Sequence, residues 1–452
     1  MLLNPSKYKL NSIKLVSGKG KVVDILNIFT RFYIDESIYN YCLTGSIDVL
    51  DANNLISGSL SALPLMGNEL LAIDISIPTM VSKEKNNDNI SDADEYYFNN
   101  YNIVGIFRIT SIKRNLEREK LQSYNIQFAS EEFVLNENLN ISKAYSNRTP
   151  SEISEQLFNE SFRSINSKSQ FETTSNKLSF ISPLWHPFKV INWMASRSIS
   201  NNTNCSTYFF YENLYSNNVN TTNNKTNMFN FKSLDTMLKS EYVKRIVFGM
   251  ANVPITDGTN SANLSKYVKA ISYQIVKDFD TIESINAGLF TNKLIAHDII
   301  NKKYTELDYN YDNRFSDMPH LGKSGKIYSG MMDASGKRFT DYYGSAVYMH
   351  PLGNSFGNNY IDKIVGPRTS QLASLQHCNV NILVPGDGQI SAGNVIKFKL
   401  PSPESVPAYD SFYDGKYLVT AIRHHFETEE YTMSLACAKE TPKIDYDEYS
   451  RP

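Results

Sequence analysis

The sequence predicts a mainly β protein interrupted by an α+β insertion, and three observations carry that reading. The first 145 residues hold short alternating segments, "NSIKLV", "GSIDVLD", "ELLAIDISI", "IVGIFRITSIKR" and "YNIQFAS", separated by turns rich in glycine and asparagine. At "RTPSEISEQLFNESFRSI" the apolar period changes, because Ile153, Leu157, Phe158, Phe162 and Ile165 fall on one helical face. Alternation then returns after 256 and closes the chain in "CNVNILVPGDG", "GNVIKFKLP" and "GKYLVTAIRH".

Taken in order, residues 1–145 read as a first β module. Within it the charged stretch 81–100, "VSKEKNNDNISDADEYYFNN", is expected to be a long surface loop. An inserted α+β domain is expected over 146–255. Thr149 with Glu152 forms a capping box, and Pro150 stands at the first helical position, where a missing N–H costs nothing. A second helix is predicted from Pro187, with Phe188, Ile191, Ala195 and Ile199 on one side. "STYFFYEN" comes next as a buried strand, and "NMFNFKSLDTMLKS" as a strand passing into a short helix. Residues 256–310, including "KAISYQIVKDFDTIESINAG", read as β text opening a second module. Residues 311–377 are a glycine- and polar-rich insertion with a short helix at "RTSQLASLQH", 378–442 complete the second module, and 443–452 form a tail.

The stretch "VPGDGQISAG" (384–393) raises the question of a phosphate loop. Its glycines, Gly386, Gly388 and Gly393, match neither the dinucleotide nor the nucleotide-triphosphate spacing. The segment after Gly393, "NVIKFKLP", has strand period rather than helix period. Residues 384–393 are therefore expected to make two turns that use positive φ.

Those turns belong to a repeat. "MGNELLAIDISIP" (Gly67 to Pro78) parallels "AGNVIKFKLP" (Gly393 to Pro401), and "GIFRITSIKR" from Gly105 parallels "GKYLVTAIRH" from Gly415. The second match places Thr110 with Thr420, Ile112 with Ile422 and Lys113 with Arg423. Strands from Tyr124 and Tyr431 come after each, and "GSIDVLD" and "CNVNILVPGDG" precede each. Matched elements in one order imply duplication. Each threonine is expected to share a strand face with the isoleucine two residues on. Three copies of a duplicated chain would present six similar modules, a geometry suited to joining a six-fold ring to a three-fold partner.

Length and composition exclude several classes of function. A chain of 452 residues, 41% hydrophobic and 20% charged, can bury more than one core. Its 45 basic and 47 acidic residues leave a net charge of −2, which offers no basic surface for sequence-specific nucleic-acid binding. No apolar run long enough for a signal peptide or membrane span occurs, so stable membrane insertion is not expected. Cys42, Cys205, Cys378 and Cys437 are scattered, without zinc or disulfide spacing.

Chemistry-bearing residues do not assemble into a pattern. His424 and His425 are adjacent on a strand, as are His297 and Asp298, so their side chains diverge; surface positions are expected for the histidine pair. His186, His320, His350 and His377 have no ligand spacing. Trp185 and Trp193 are read as core packing rather than a sugar platform. No nucleophile elbow occurs, and nothing selects a pair of carboxylates for glycoside hydrolysis. No catalytic, cofactor-binding or metal-binding residue is assigned, and no cofactor is expected.

On the segments "GSIDVLDANNLISGS", "PLMGNELLAIDIS", "IVGIFRITSIKRN", "YNIQFASEE", "PLWHPFKVINWMASRS", "STYFFYEN", "FNFKSLDTML", "NILVPGDGQISAGNVIKFKLP" and "DGKYLVTAIRHHF", the sequence resembles the baseplate hub proteins of contractile-tailed phages. More distantly it is similar to the hub part of type VI secretion spike proteins. The resemblance implies two related β-barrel modules around an α/β domain, trimerising into a pseudo-hexameric ring. It further implies a non-enzymatic virion protein of the tail baseplate, assembled in the host cytoplasm and adapting the six-fold tail tube to the three-fold central spike. Implied partners are two further copies of the chain, the central spike or tail lysozyme trimer, tube or tube-initiator proteins, and wedge proteins. The alternatives are a virion-associated cell-wall hydrolase and a receptor-binding tail protein.

Overall fold

The structure, a computed structural model, describes residues 7–52, 55–56, 65–82, 96–118, 121–162, 168–203, 205–214, 227–249, 267–278, 280–298, 300–322, 333–338, 346–351, 360–402, 410, 412–428 and 430–440. The chain opens with β1 (Lys9–Val16), β2 (Val22–Asp24), β3 (Phe29–Ser37), β4 (Thr44–Asp51), β5 (Leu70–Ser82), β6 (Tyr96–Arg118) and β7 (Leu121–Ser130). An α+β stretch is next: α1 (Glu131–Asn138), β8 (Ala144–Arg148), α2 (Pro150–Phe162), β9 (Ser169–Phe171), β10 (Leu178–Ile181), α3 (Pro187–Ala195), β11 (Tyr208–Leu214), β12 (Asn227–Ser233) and α4 (Leu234–Lys239). Strands then resume with β13 (Tyr242–Val247), β14 (Tyr267–Lys269), β15 (Ser272–Lys277), α5 (Thr281–Asn286), β16 (Thr291–Asp298), β17 (Lys303–Asn310), α6 (Tyr311–Arg314) and β18 (Ala346–Pro351). Last come α7 (Ile361–Ser374), β19 (Cys378–Pro385), β20 (Val395–Lys399), β21 (Gly415–Glu427) and β22 (Tyr431–Lys439).

Fourteen strands form one large curled sheet, and the protein is mainly β. One core runs through both ends of that sheet, from Ile13, Phe32 and Ile73 to Val380, Phe398 and Leu435. The first helical segment forms as its sequence dictates. Thr149 Oγ1 accepts from the Glu152 N–H at 3.3 Å, while Glu152 Oε2 accepts from the Thr149 N–H at 3.2 Å. The apolar faces of α2 and α3 bury Ile153, Leu157, Phe158, Phe188 and Ile191 against Phe210 and Phe229, making a second core. Every residue of β11 is buried, which is why "YFFYENL" shows no alternation.

Two expectations are corrected. Val81–Ser82 and Tyr96–Asn100 extend β5 and β6 as paired strand, so 81–100 is not loop throughout; residues 83–95 lie outside the described residues. "DTIESIN" is helix, not strand. Asp280 caps it by accepting from the Glu283 N–H at 2.9 Å, and this local bond overrides a six-residue alternation.

Candidate assembly interface

The two ends of the sheet have the same strand order. One runs β3-β4-β7-β6-β5-β1, the other β15-β19-β22-β21-β20-β13. Register agrees as well. Arg108 stands opposite Leu70 and Ala129, and Leu418 stands opposite Val395 and Ala438. Beyond them the pairing jumps from Ile109 to Ser111 in one half and from Val419 to Ala421 in the other, so Thr110 and Thr420 occupy the same β-bulge. Ile112 then faces Ile126, and Ile422 faces Leu435. Even a polar contact repeats: Arg114 donates to Gln122 Oε1 at 2.7 Å, and His424 Nδ1 lies 2.8 Å from the Tyr431 hydroxyl at the corresponding positions.

The bulge also corrects the facing prediction. An extra residue reverses the alternation, so Ile109 and Ile112 point to the core while Thr110 is exposed. The register brings two further adjustments. Tyr124 corresponds to Met433 rather than Tyr431, a two-residue shift that leaves faces unchanged. Glu69 is one extra residue between the Gly-Asn turn and its strand. Gly67 and Gly393 do share positive φ, at +93° and +87°. The halves differ at their far ends, where β5 meets β1 antiparallel but β20 meets β13 parallel.

The halves join edge to edge. β3 pairs antiparallel with β21 from Ala421 opposite Ser37 to Glu427 opposite Arg31. Phe32, Ile34, Ile422 and Phe426 along this seam are at most 1% exposed, and the Phe32 and Phe426 rings stack at 4.4 Å. Buried Glu36 receives the His424 imidazole at 2.8 Å through Oε1 and the Ala392 N–H at 3.0 Å through Oε2. Outside the core, Arg423 donates twice to Asp35 at 2.7 and 3.1 Å. His424 is therefore a buried seam residue at 2% exposure, not a surface one. His425 points the other way against Tyr33.

The stretch 384–393 sits over the seam, and most of its backbone donors are already committed. Gly386 donates to Tyr431 O at 2.9 Å, Gln389 to Asp387 Oδ1 at 2.8 Å, Ser391 to Asn394 Oδ1 at 2.8 Å, and Gly393 to Val419 O at 2.8 Å. With Ala392 bound to Glu36, these N–H groups cannot cradle an anion. Gly386 and Gly388 serve close approach rather than positive φ. A Cβ at Gly386 would lie 1.8 Å from the Tyr431 ring, and one at Gly388 would lie 2.6 Å from Tyr101. Asp387 is paired with buried Lys244 at 3.1 Å.

The α+β stretch grips both halves through β11. Glu212 accepts from the Leu43 N–H at 2.8 Å and from the Ser130 hydroxyl at 2.5 Å, both on the side of the first half, and from Asn227 of the neighbouring β12. Burial, with the charge of Glu132 nearby, pushes its carboxyl up to about 8. Asn213 donates to Ala392 O at 3.3 Å on the side of the second.

Other chemistry-bearing residues are dispersed. His186 bonds Leu139 O, and His320 stacks on Phe315 and meets Glu440. His297 and His350 stand on β16 and β18, and His377 is buried, which holds it near pH 4. Trp185 and Trp193 pack against the second core with Phe180. The four cysteines are free and buried. No group of three or more metal-ligating side chains occurs among the described residues. A cleft of about 1040 Å³ brings Asp235, Asp308, Asp317 and Asp362 to its lining. Asp235, raised by burial, accepts there from Gln371 at 3.2 Å. Among the described residues no helix is long and apolar enough to cross a membrane.

Solved tail proteins have a similar fold. The chain superposes on a tail protein from Neisseria meningitidis MC58 at a TM-score of 0.52, with 9% identity over 96% of this chain and 97% of that one. A 43 kDa tail protein of prophage MuSo2 from Shewanella oneidensis gives 0.51 with 9% identity, over 95% and 98%. In sequence the chain is similar to the probable baseplate hub protein gp334 of Vibrio phage KVP40, 19% identical over 287 residues. That match spans 60% of this chain and 62% of the relative's length. No protein-family model matches the sequence. The likeness to phage baseplate hub and tail proteins read from the sequence therefore stands.

Proposed function

We propose that the protein is the central hub of a contractile-tail baseplate: a structural, non-enzymatic virion component. Its two sheet halves are β-barrel modules derived from one ancestor, and three copies close into a ring that adapts the six-fold tube to the three-fold spike. The observation that carries this reading is the repeat. Equal strand order, equal register and a shared bulge, joined edge to edge within one chain, give a unit that presents the same surface twice. Three such chains have six near-equivalent modules, spaced at roughly 60°. Likeness to a phage baseplate hub protein supports the placement in the virion.

The cleft does not favour a hydrolase. Its buried carboxylate, Asp235, is bonded to Gln371, whereas a general acid must be free to reach a substrate oxygen. A cryo-EM map of the assembled tail tip tests the proposal. Three copies around a pore, between tube and spike, are expected. A dimer or tetramer in the particle, or peptidoglycan hydrolysis abolished by Asp235→Asn, overturns it.

A further inference from the structure

The cleft of about 1040 Å³ lies away from both halves of the large sheet. One wall comes from the α+β stretch, through Ile199, Ser206 and Asp235, and the other from β16, β17, α6 and the first turns of α7. Its volume stands at the top of the roughly 300–1,000 Å³ range of small-molecule sites. The lining holds an orphaned acceptor. Asn292, only 1% exposed, donates to Gly288 O and to Gly366 O, both at 3.1 Å, which uses both of its N–H groups and fixes the amide; its Oδ1 has no partner. Gly366 lines the cleft beside it, and a Cβ there would lie 3.0 Å from Tyr309 and 3.2 Å from that oxygen. The glycine thus lets α7 close on β16 and β17 without a side chain covering Asn292 Oδ1. A buried carbonyl oxygen is costly to leave without a donor, and a ligand hydroxyl supplies one.

Charge selects the class of ligand. Four carboxylates reach the lining, but they are compensated. Asp235 accepts from Gln371 at 3.2 Å, Asp308 lies 3.7 Å from Lys293, Asp317 lies 3.4 Å from Arg314, and Asp362 shares the lining with Lys363. A surface so balanced has little field to draw in a polycation or a polyanion. The ligating side chains do not converge either, since no group of three or more that could hold a metal occurs among the described residues. What is left is spread-out neutral hydrogen-bonding capacity, from Asn292 to the exposed Asn313, beside the apolar surface of Leu307. Amides and carboxylates take the hydroxyls of a sugar ring, and an apolar side chain takes its C–H face. We propose that this cleft binds a neutral oligosaccharide of about two or three units without cleaving it. Asn292 Oδ1 accepts from one sugar hydroxyl, Asn313 and Asp362 engage hydroxyls at the exposed side, and Leu307 packs on the ring. The site belongs to a single chain and stands apart from the ring-forming reading above.

The full chain is applied to an array of neutral oligosaccharides of the glucose, galactose, mannose, rhamnose and N-acetylglucosamine series, and the strongest binder is titrated calorimetrically, with trilysine and triglutamate as charged controls. Binding of at least one neutral sugar, tighter than that of either peptide, is expected. Leu307→Trp, at a position 36% exposed, fills the cleft and should weaken that binding at least about tenfold with an unchanged melting temperature. Asp362→Ala, also exposed, should weaken it by up to about tenfold, the loss of one hydrogen bond. Asn292→Ala should abolish it. That variant also strands two backbone carbonyls, so the exposed pair keeps the test open if it fails to fold. No binder on the array, a preference for trilysine or triglutamate, or sugar binding that Leu307→Trp leaves intact each overturns the proposal, and none of these outcomes touches the trimeric reading.

Discussion

The two halves of the sheet solve one packing problem with different residues, and the difference shows what a shared topology leaves free. In the first half Gly45 stands opposite Phe128; at the same rungs of the second, Val380 stands opposite Cys437. A Cβ at Gly45 would lie 2.3 Å from the Tyr33 carbonyl oxygen and 2.4 Å from the Phe128 ring, so part of the bulk lost on one strand is regained on its neighbour and part makes room for the adjoining backbone. The polar pair at the bulged end diverges more. Arg114 and Gln122 sit toward solvent, while His424 and Tyr431 are buried and recruit Glu36. That pair lies under a seam in one half and at a bare edge in the other, so identical backbone geometry faces two dielectric environments.

The comparison breaks most sharply at Glu36. Its removal by Glu36→Ala strands His424 and the Ala392 N–H in the core, and should cost about 3–5 kcal/mol in chemical denaturation. Arg114→Ala, at the corresponding exposed pair, should cost less than about 0.5 kcal/mol. Equal effects would show that burial at the seam is not what separates the halves. Gly45→Val should cost about 2–3 kcal/mol, and adding Phe128→Cys should recover part of it by importing the second half's solution; a strictly additive double variant would refute the exchange.

A smaller, pH-dependent effect distinguishes the two grips of β11. The folded pKa of Glu212, about 8, lies above its unfolded value near 4.5, so the folded state holds the extra proton between them. Stability from this group is therefore full below about pH 4.5 and is lost as pH rises toward 8, with a slope of at most about 1.4 kcal/mol per pH unit. Glu212→Gln should flatten melting temperature against pH across that window, and an unchanged slope would assign the dependence elsewhere. Asn213, gripping the second half, carries no such charge. At the exposed end of the seam, Arg423→Ala should cost roughly 0.5–1 kcal/mol, because the Asp35 pair is exposed and screened. Its loss should shrink further in high salt, which a denaturation series at two ionic strengths reads directly.

Much of the architecture was legible because its signals are local. The capping box at Thr149 and Glu152, the apolar faces of α2 and α3, and the all-buried β11 each come from spacing within a few residues. The repeat was legible too, since a strand's alternation and its glycine turn travel together. α5 was not, because a cap of one side-chain bond competes with an alternation that looks the same on either reading.

By itself the sequence determined which segments alternate, where the helices begin, and that two stretches share one pattern down to Thr110 and Thr420. Only the tertiary structure decided that both threonines sit on a bulge, that His424 is buried, and that β3 of one half lies on β21 of the other. The physical reason is that strand periodicity encodes which face of a strand is apolar but not which edge meets which. Edge pairing is made by backbone N–H and C=O groups that every residue carries, so its partners are chosen by the fold as a whole.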